Sequence, residues 1–103
     1  MSAKPPEACE TMQDVRTGVD ETDRALIALL ETRFGYMRAA ARIKQSRDAV
    51  RDEARKKAVI DAVADQARVA GLPHDKLAEM WDLLVETSIA YEMEEWERLR
   101  SKP

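Results

Sequence analysis

The sequence predicts an all-α protein of three helices, the first of them long and shared with a second copy of the chain. Three observations predict this. Apolar or small residues recur at helical spacing through Val15, Val19, Thr22, Leu26, Leu29, Met37 and Ala40, a stripe of 3.6-residue period. No segment alternates apolar and polar residues as a half-buried strand would. The chain has three Gly and four Pro in 103 residues, which leaves long stretches free of breakers. A composition 45% hydrophobic and 36% charged suits a compact helical protein rather than a disordered one. The length allows one domain at most.

Residues 1–11, with Pro5 and Pro6, read as a flexible, frayed N-terminal arm. The helical domain then occupies 12–100. From Met12 to Arg47 only Gly18 and Gly35 interrupt the pattern, and each costs roughly 1 kcal/mol in a helix relative to Ala. One helix over 12–47 is therefore expected. It would be about 50 Å long at 1.5 Å per residue. A domain of this size has a radius of gyration of about 13 Å. Such a helix overhangs its own domain, and its stripe needs a partner, so a homodimer is expected. A break near Gly35 would give a monomeric bundle instead. The second helix runs over 52–70, with Asp52 as its N-cap. Gly71-Leu72-Pro73 stops it. The third helix covers 75–99.

Composition also excludes function classes. The formal net charge is −3, and no basic stripe or aromatic-basic interleaving marks a nucleic-acid interface. Cys9 is the single cysteine, so the chain holds no disulfide framework, and no thiolate metal cluster is expected. His74, the one histidine, leaves little for zinc or triad chemistry. No run of about 18 apolar residues is present, so no membrane span is expected. The opening Met-Ser-Ala-Lys-Pro-Pro-Glu lacks an apolar signal region. A cytoplasmic protein without metal or cofactor is the expectation.

Two cations interrupt the greasy stripe of the first helix. Continued at 100° per residue from Leu26, the stripe passes through Lys44, with Arg33 about 20° away. The two are about 16 Å apart along the helix. A core-facing charge is costly unless something opposite neutralises it. Acidic side chains of another helix would do so, and so would a bound anion. Arg16 lies about 80° off the stripe, either as a solvated surface residue or facing a partner subunit. On the third helix the stripe Leu77, Trp81, Leu84, Tyr91 also carries Ser88, with Glu92 at its edge. Ser88 and Glu92 beside Arg33 and Lys44 form either a structural ion pair or a donor site for a polar anionic ligand. Arg55, in the first turn of the second helix, is placed to reach an anion at that helix N-terminus. The charged run 47–57 otherwise reads as solvated. His74 reads as a surface residue, and Trp81 and Trp96 as core or interface.

The ordered set of residues resembles the all-helical chorismate mutases. Asp14-Val15-Arg16, Val19-Asp20, Asp23, Leu26, Leu29-Leu30, Glu31, Arg33 and Lys44 are similar to that family's first helix. Val50-Arg51-Asp52 with Arg55, then Ser88 with Glu92, continue the pattern, so the resemblance covers about 14–96. It implies an intertwined homodimer with two equivalent sites, acting on a small anionic dicarboxylate without cofactor. Arg33 and Arg55 would bind substrate carboxylates, Arg16 would reach across from the other subunit, and Asp52 and Ser88 would help hold the substrate. Lys44 would donate to the ether oxygen that gains charge as the C–O bond breaks, and Glu92 would be a second donor to it. Catalysis would rest on a compact bound conformer and preorganised donors.

Three positions depart from the pattern. Glu92 stands where many bacterial mutases have glutamine. A carboxyl donates only when protonated, so activity is expected to fall as pH rises and Glu92 ionises. Lys56 stands where mutases often carry a glutamate for the ring hydroxyl. The stretch from Tyr36 to Lys44, and the Glu92…Trp96 ending, are more similar to the related isochorismate-pyruvate lyases, whereas Ser88 points to the mutases. The resemblance thus implies a chorismate mutase giving prephenate for aromatic amino-acid supply. Its alternatives are an isochorismate-pyruvate lyase giving salicylate, a mutase of an amino-substituted chorismate, and a non-catalytic helical dimerisation module.

Overall fold

The computed structural model describes residues 3–101. Its helices are α1 (Met12–Ile43), α2 (Glu53–Val69) and α3 (His74–Arg100), and no strand occurs among the described residues. The chain forms two compact units, one up to Gly35 and one from Tyr36 onward, with α1 contributing to both.

In the first unit, the segment expected to fray carries a 3-10 turn, Pro6–Ala8, closed by the Ala8 amide donating to Pro5 O at 2.9 Å. The chain then enters α1 through a reciprocal cap. The Asp14 amide donates to Thr11 Oγ1 at 3.1 Å, while Asp14 Oδ2 accepts from the Thr11 amide at 3.3 Å and the Glu10 amide at 3.1 Å. These bonds satisfy amides that a helix start leaves without intrahelical partners. The Glu10 amide, followed by the ammonium of Lys4, holds the Asp14 carboxyl below the usual carboxylate range. The apolar stripe of α1 is open here: Val19, Leu26 and Leu29 are 52%, 51% and 66% exposed.

In the second unit, α1 stops at Ile43 rather than running to Arg47 as expected. Its last carbonyls are met by side chains of α3, described below, instead of by a further helical turn. A 3-10 turn, Arg47–Ala49, follows and delivers Val50 into the interior at 3% exposure. Asp52 caps α2 as expected, its carboxylate accepting from the Arg55 amide at 3.0 Å. The far end of α2 is a Schellman motif: the Leu72 amide reaches Ala67 O at 2.9 Å and the Gly71 amide reaches Arg68 O at 3.1 Å. That geometry needs a left-handed residue, which Gly71 supplies at φ 74°. His74 opens α3, and α2 packs along α3.

The interior of this unit is small. Ala41, Val50, Ala67 and Val85 are its buried apolar residues, joined by the polar Ser88 and Glu92, and no large side chain among the described residues is fully buried. No helix of the described residues is long and apolar enough to cross a membrane.

Candidate functional site

Lys44 and Glu92 meet. Lys44 follows the last residue of α1, and its amide still donates to Ala40 O at 2.9 Å. Its ammonium lies 2.7 Å from Glu92 Oε2 and donates to Val50 O at 3.3 Å. Glu92, on α3, is 4% exposed. Ser88 sits one turn earlier, about 6 Å along the helix axis, is 3% exposed, and donates to Leu84 O at 2.7 Å. A buried carboxylate, a part-buried ammonium and a buried hydroxyl therefore share one region of the second unit.

The pairing is close but incomplete. Glu92 Oε2 is shielded from solvent and has no hydrogen-bond partner of acceptable geometry, although the ammonium is 2.7 Å away. Distance shows the charges meeting, and angle shows the acceptor unsatisfied, so the contact is electrostatic rather than an aligned hydrogen bond. Buried polar atoms are nearly always satisfied, and an exception calls for an explanation. An additional polar group brought to this place would supply one.

Lys44 is held at its backbone as well. Its carbonyl accepts from Trp96 Nε1 at 3.0 Å and from Arg100 Nη2 at 2.7 Å. The same guanidinium donates to Ala41 O at 3.0 Å and lies over the Trp96 ring, 4.3 Å from its centroid. Sequence reasoning placed Trp96 only as core or interface and did not single out Arg100. The signal was present: Ser88, Glu92, Trp96 and Arg100 follow at four-residue steps, which stacks them along one ridge of a helix.

The other expected residues lie nearby in sequence or in the first unit. Asp52 caps α2 through its side chain, and Arg55, exposed, stands in that helix's first turn. Arg16 and Arg33 belong to the first unit. Arg16 is exposed and Arg33 half-buried.

Lys56 is committed to α3. Its ammonium lies 2.7 Å from Glu86 Oε2 and 3.3 Å from Asp82 Oδ1. Arg51 grips the same Glu86 with two nitrogens, at 2.7 and 3.1 Å. Arg51 first, then Lys56, pulls the Glu86 carboxyl down to about 2. Hydrogen bonding to Glu86 raises Lys56 in turn. This cluster braces the start of α2 against α3. A cavity of about 600 Å³ lies in the first unit, lined in part by Pro6, Cys9, Val15, Val19 and Thr22. Lys4, Glu21 and Asp23 also line it.

Residues 15–93 match the family described as chorismate mutase type II. The chain is also similar to the isochorismate pyruvate lyase of Pseudomonas aeruginosa, 28% identical over 97 residues, which cover 94% of this chain and 96% of that enzyme.

Proposed function

Since the chain belongs to the chorismate mutase type II family, we propose that it is a chorismate mutase, rearranging chorismate to prephenate without a cofactor. The observation that carries this reading is the buried Glu92 oxygen facing the Lys44 ammonium without an aligned hydrogen bond. A pericyclic rearrangement needs no nucleophile and no metal. It needs a compact substrate conformer and donors at the atom that gains charge. In this proposal Lys44 donates to the ether oxygen as its C–O bond breaks. Glu92, when it carries a proton, is the second donor. Arg33 and Arg55 hold the substrate carboxylates, with Asp52 and Ser88 fixing its orientation. Arg16 comes from a second copy in an intertwined homodimer. The exposed α1 stripe at Val19, Leu26 and Leu29 supports such a partner.

A second reading has its own support. An isochorismate pyruvate lyase is among the similar proteins. Lys56, where mutases often carry a carboxylate for the ring hydroxyl, is tied to Glu86 and Asp82. This reading keeps the same cations and breaks the corresponding ether bond of isochorismate, giving salicylate and pyruvate.

The test is product identity from purified protein given an equimolar mixture of chorismate and isochorismate. Prephenate as the main product is expected. Salicylate with pyruvate would replace the mutase by the lyase. Turnover of neither would overturn both readings.

A further inference from the structure

Every polar atom of Lys44 is occupied, and most of the partners come from one ridge of α3. Glu92 meets the ammonium, while Trp96 and Arg100, one and two turns further on, meet the carbonyl. The order along the helix matters. Lys44 lies just past the end of α1, where carbonyls lose their intrahelical donors. An unfixed residue there would let the side chain swing with the backbone. Trp96 Nε1 donates only to that carbonyl, and the forked guanidinium of Arg100 ties it to Ala41 O, 3.0 Å from a second nitrogen. Stacking on Trp96 at 4.3 Å holds the fork itself in place. The backbone of Lys44 is thus clamped on the same helix that carries Glu92.

We infer that Trp96 and Arg100 are positioning residues for Lys44, aiming its ammonium by fixing its carbonyl from the helix that also supplies Glu92. The inference rests on the proposal that Lys44 faces the reacting oxygen. A donor misplaced by about 1 Å can cost on the order of 100-fold in rate. The clamp therefore acts on turnover rather than on substrate affinity.

Two variants separate this from simple capping. Trp96→Phe keeps a ring for Arg100 to stack on and removes the donor. Arg100→Gln removes the fork at an exposed position, where folding is least at risk. Each is compared with the wild type by circular dichroism and by steady-state kinetics on whichever substrate the wild type converts. Each is also examined by the ammonium resonance of Lys44 in full-length, ¹⁵N-lysine-labelled protein, assigned through Lys44→Arg. The expected result is retained helicity, kcat lowered about 10- to 100-fold with KM within about threefold, and a shifted or broadened Lys44 resonance. A Lys44 resonance unchanged in a folded variant overturns the inference, whatever happens to the rate. So does a shifted resonance with unchanged kcat. If the wild type converts neither chorismate nor isochorismate, the proposed function fails, and the resonance alone then decides the positioning claim.

Discussion

At the residue scale, the most legible feature was charge in the wrong place. Lys44 continues an apolar stripe, and Ser88 and Glu92 lie on or beside another. Periodicity alone left two readings open, an ion pair of Glu92 with Lys44 or Arg33 and a bound anion, because a core-facing cation needs a negative partner. The structure brings Lys44 and Glu92 to 2.7 Å. Periodicity did not reveal what holds Lys44 at its carbonyl, since a backbone oxygen has no signature in the sequence. Ser88 provides a separate check on the site. Its hydroxyl donates to Leu84 O within its own helix, and circular dichroism of Ser88→Ala follows the helices. If Ser88 also holds a substrate carboxylate, a charge-assisted bond of about 1.5 kcal/mol is lost, and KM should rise about tenfold with kcat little changed. Steady-state kinetics on the purified variant checks this, and an unchanged KM would remove Ser88 from the binding set.

At the element scale, caps and stops were readable where a side chain or a glycine enforces them. Asp52 begins α2, and Gly71 ends it through a left-handed turn. The end of α1 was not readable in the same way. No glycine or proline marks Ile43, and the donors that meet the chain there, Arg100 to Ala41 O and Trp96 to the Lys44 carbonyl just beyond the helix, arrive more than fifty residues later. The brace between α2 and α3 was also hidden, because a run rich in both signs does not say which charges pair. Glu86 gives it a pH signature. Its carboxyl lies at about 2 in the folded chain, against an ordinary 4.5. A lowered folded value means the stabilisation is fully present above about 4.5 and is lost as pH falls toward 2. Glu86→Gln lacks that term. The difference in melting temperature between wild type and Glu86→Gln should therefore be constant near neutrality and shrink between pH 5 and pH 2, in roughly the interval between the two carboxyl values. A difference that does not narrow on acidification would mean that Glu86 does not brace the helices.

At the scale of the whole molecule, the small interior is the governing fact. Among the described residues four apolar ones are buried, none of them large and fully enclosed, while Val19, Leu26, Ile27 and Leu29 stand open along α1. Hydrophobic burial is the dominant favourable term in folding, so covering the open α1 stripe with a second copy, as proposed, would add to stability. The length of the first helix led to the same expectation from sequence. If the chain is a dimer, its melting temperature should rise with protein concentration. Leu26→Asp with Leu29→Asp should then give a monomer by light scattering, with activity lost because Arg16 no longer reaches a neighbouring site. A concentration-independent melting temperature would argue for a monomer.

The proposed role of Lys44, donor to an oxygen that gains negative charge, is open to one direct substitution. Turnover by Lys44→Ala should be measured beside the wild type, on whichever of the two substrates the wild type converts, with circular dichroism to follow the helices. A rate lower by about 100-fold or more is expected, because a preorganised donor has been removed. The folded protein should be destabilised by on the order of 1–3 kcal/mol, because Glu92 is left buried without its cation. Near-normal turnover in a folded Lys44→Ala protein would rule Lys44 out as that donor.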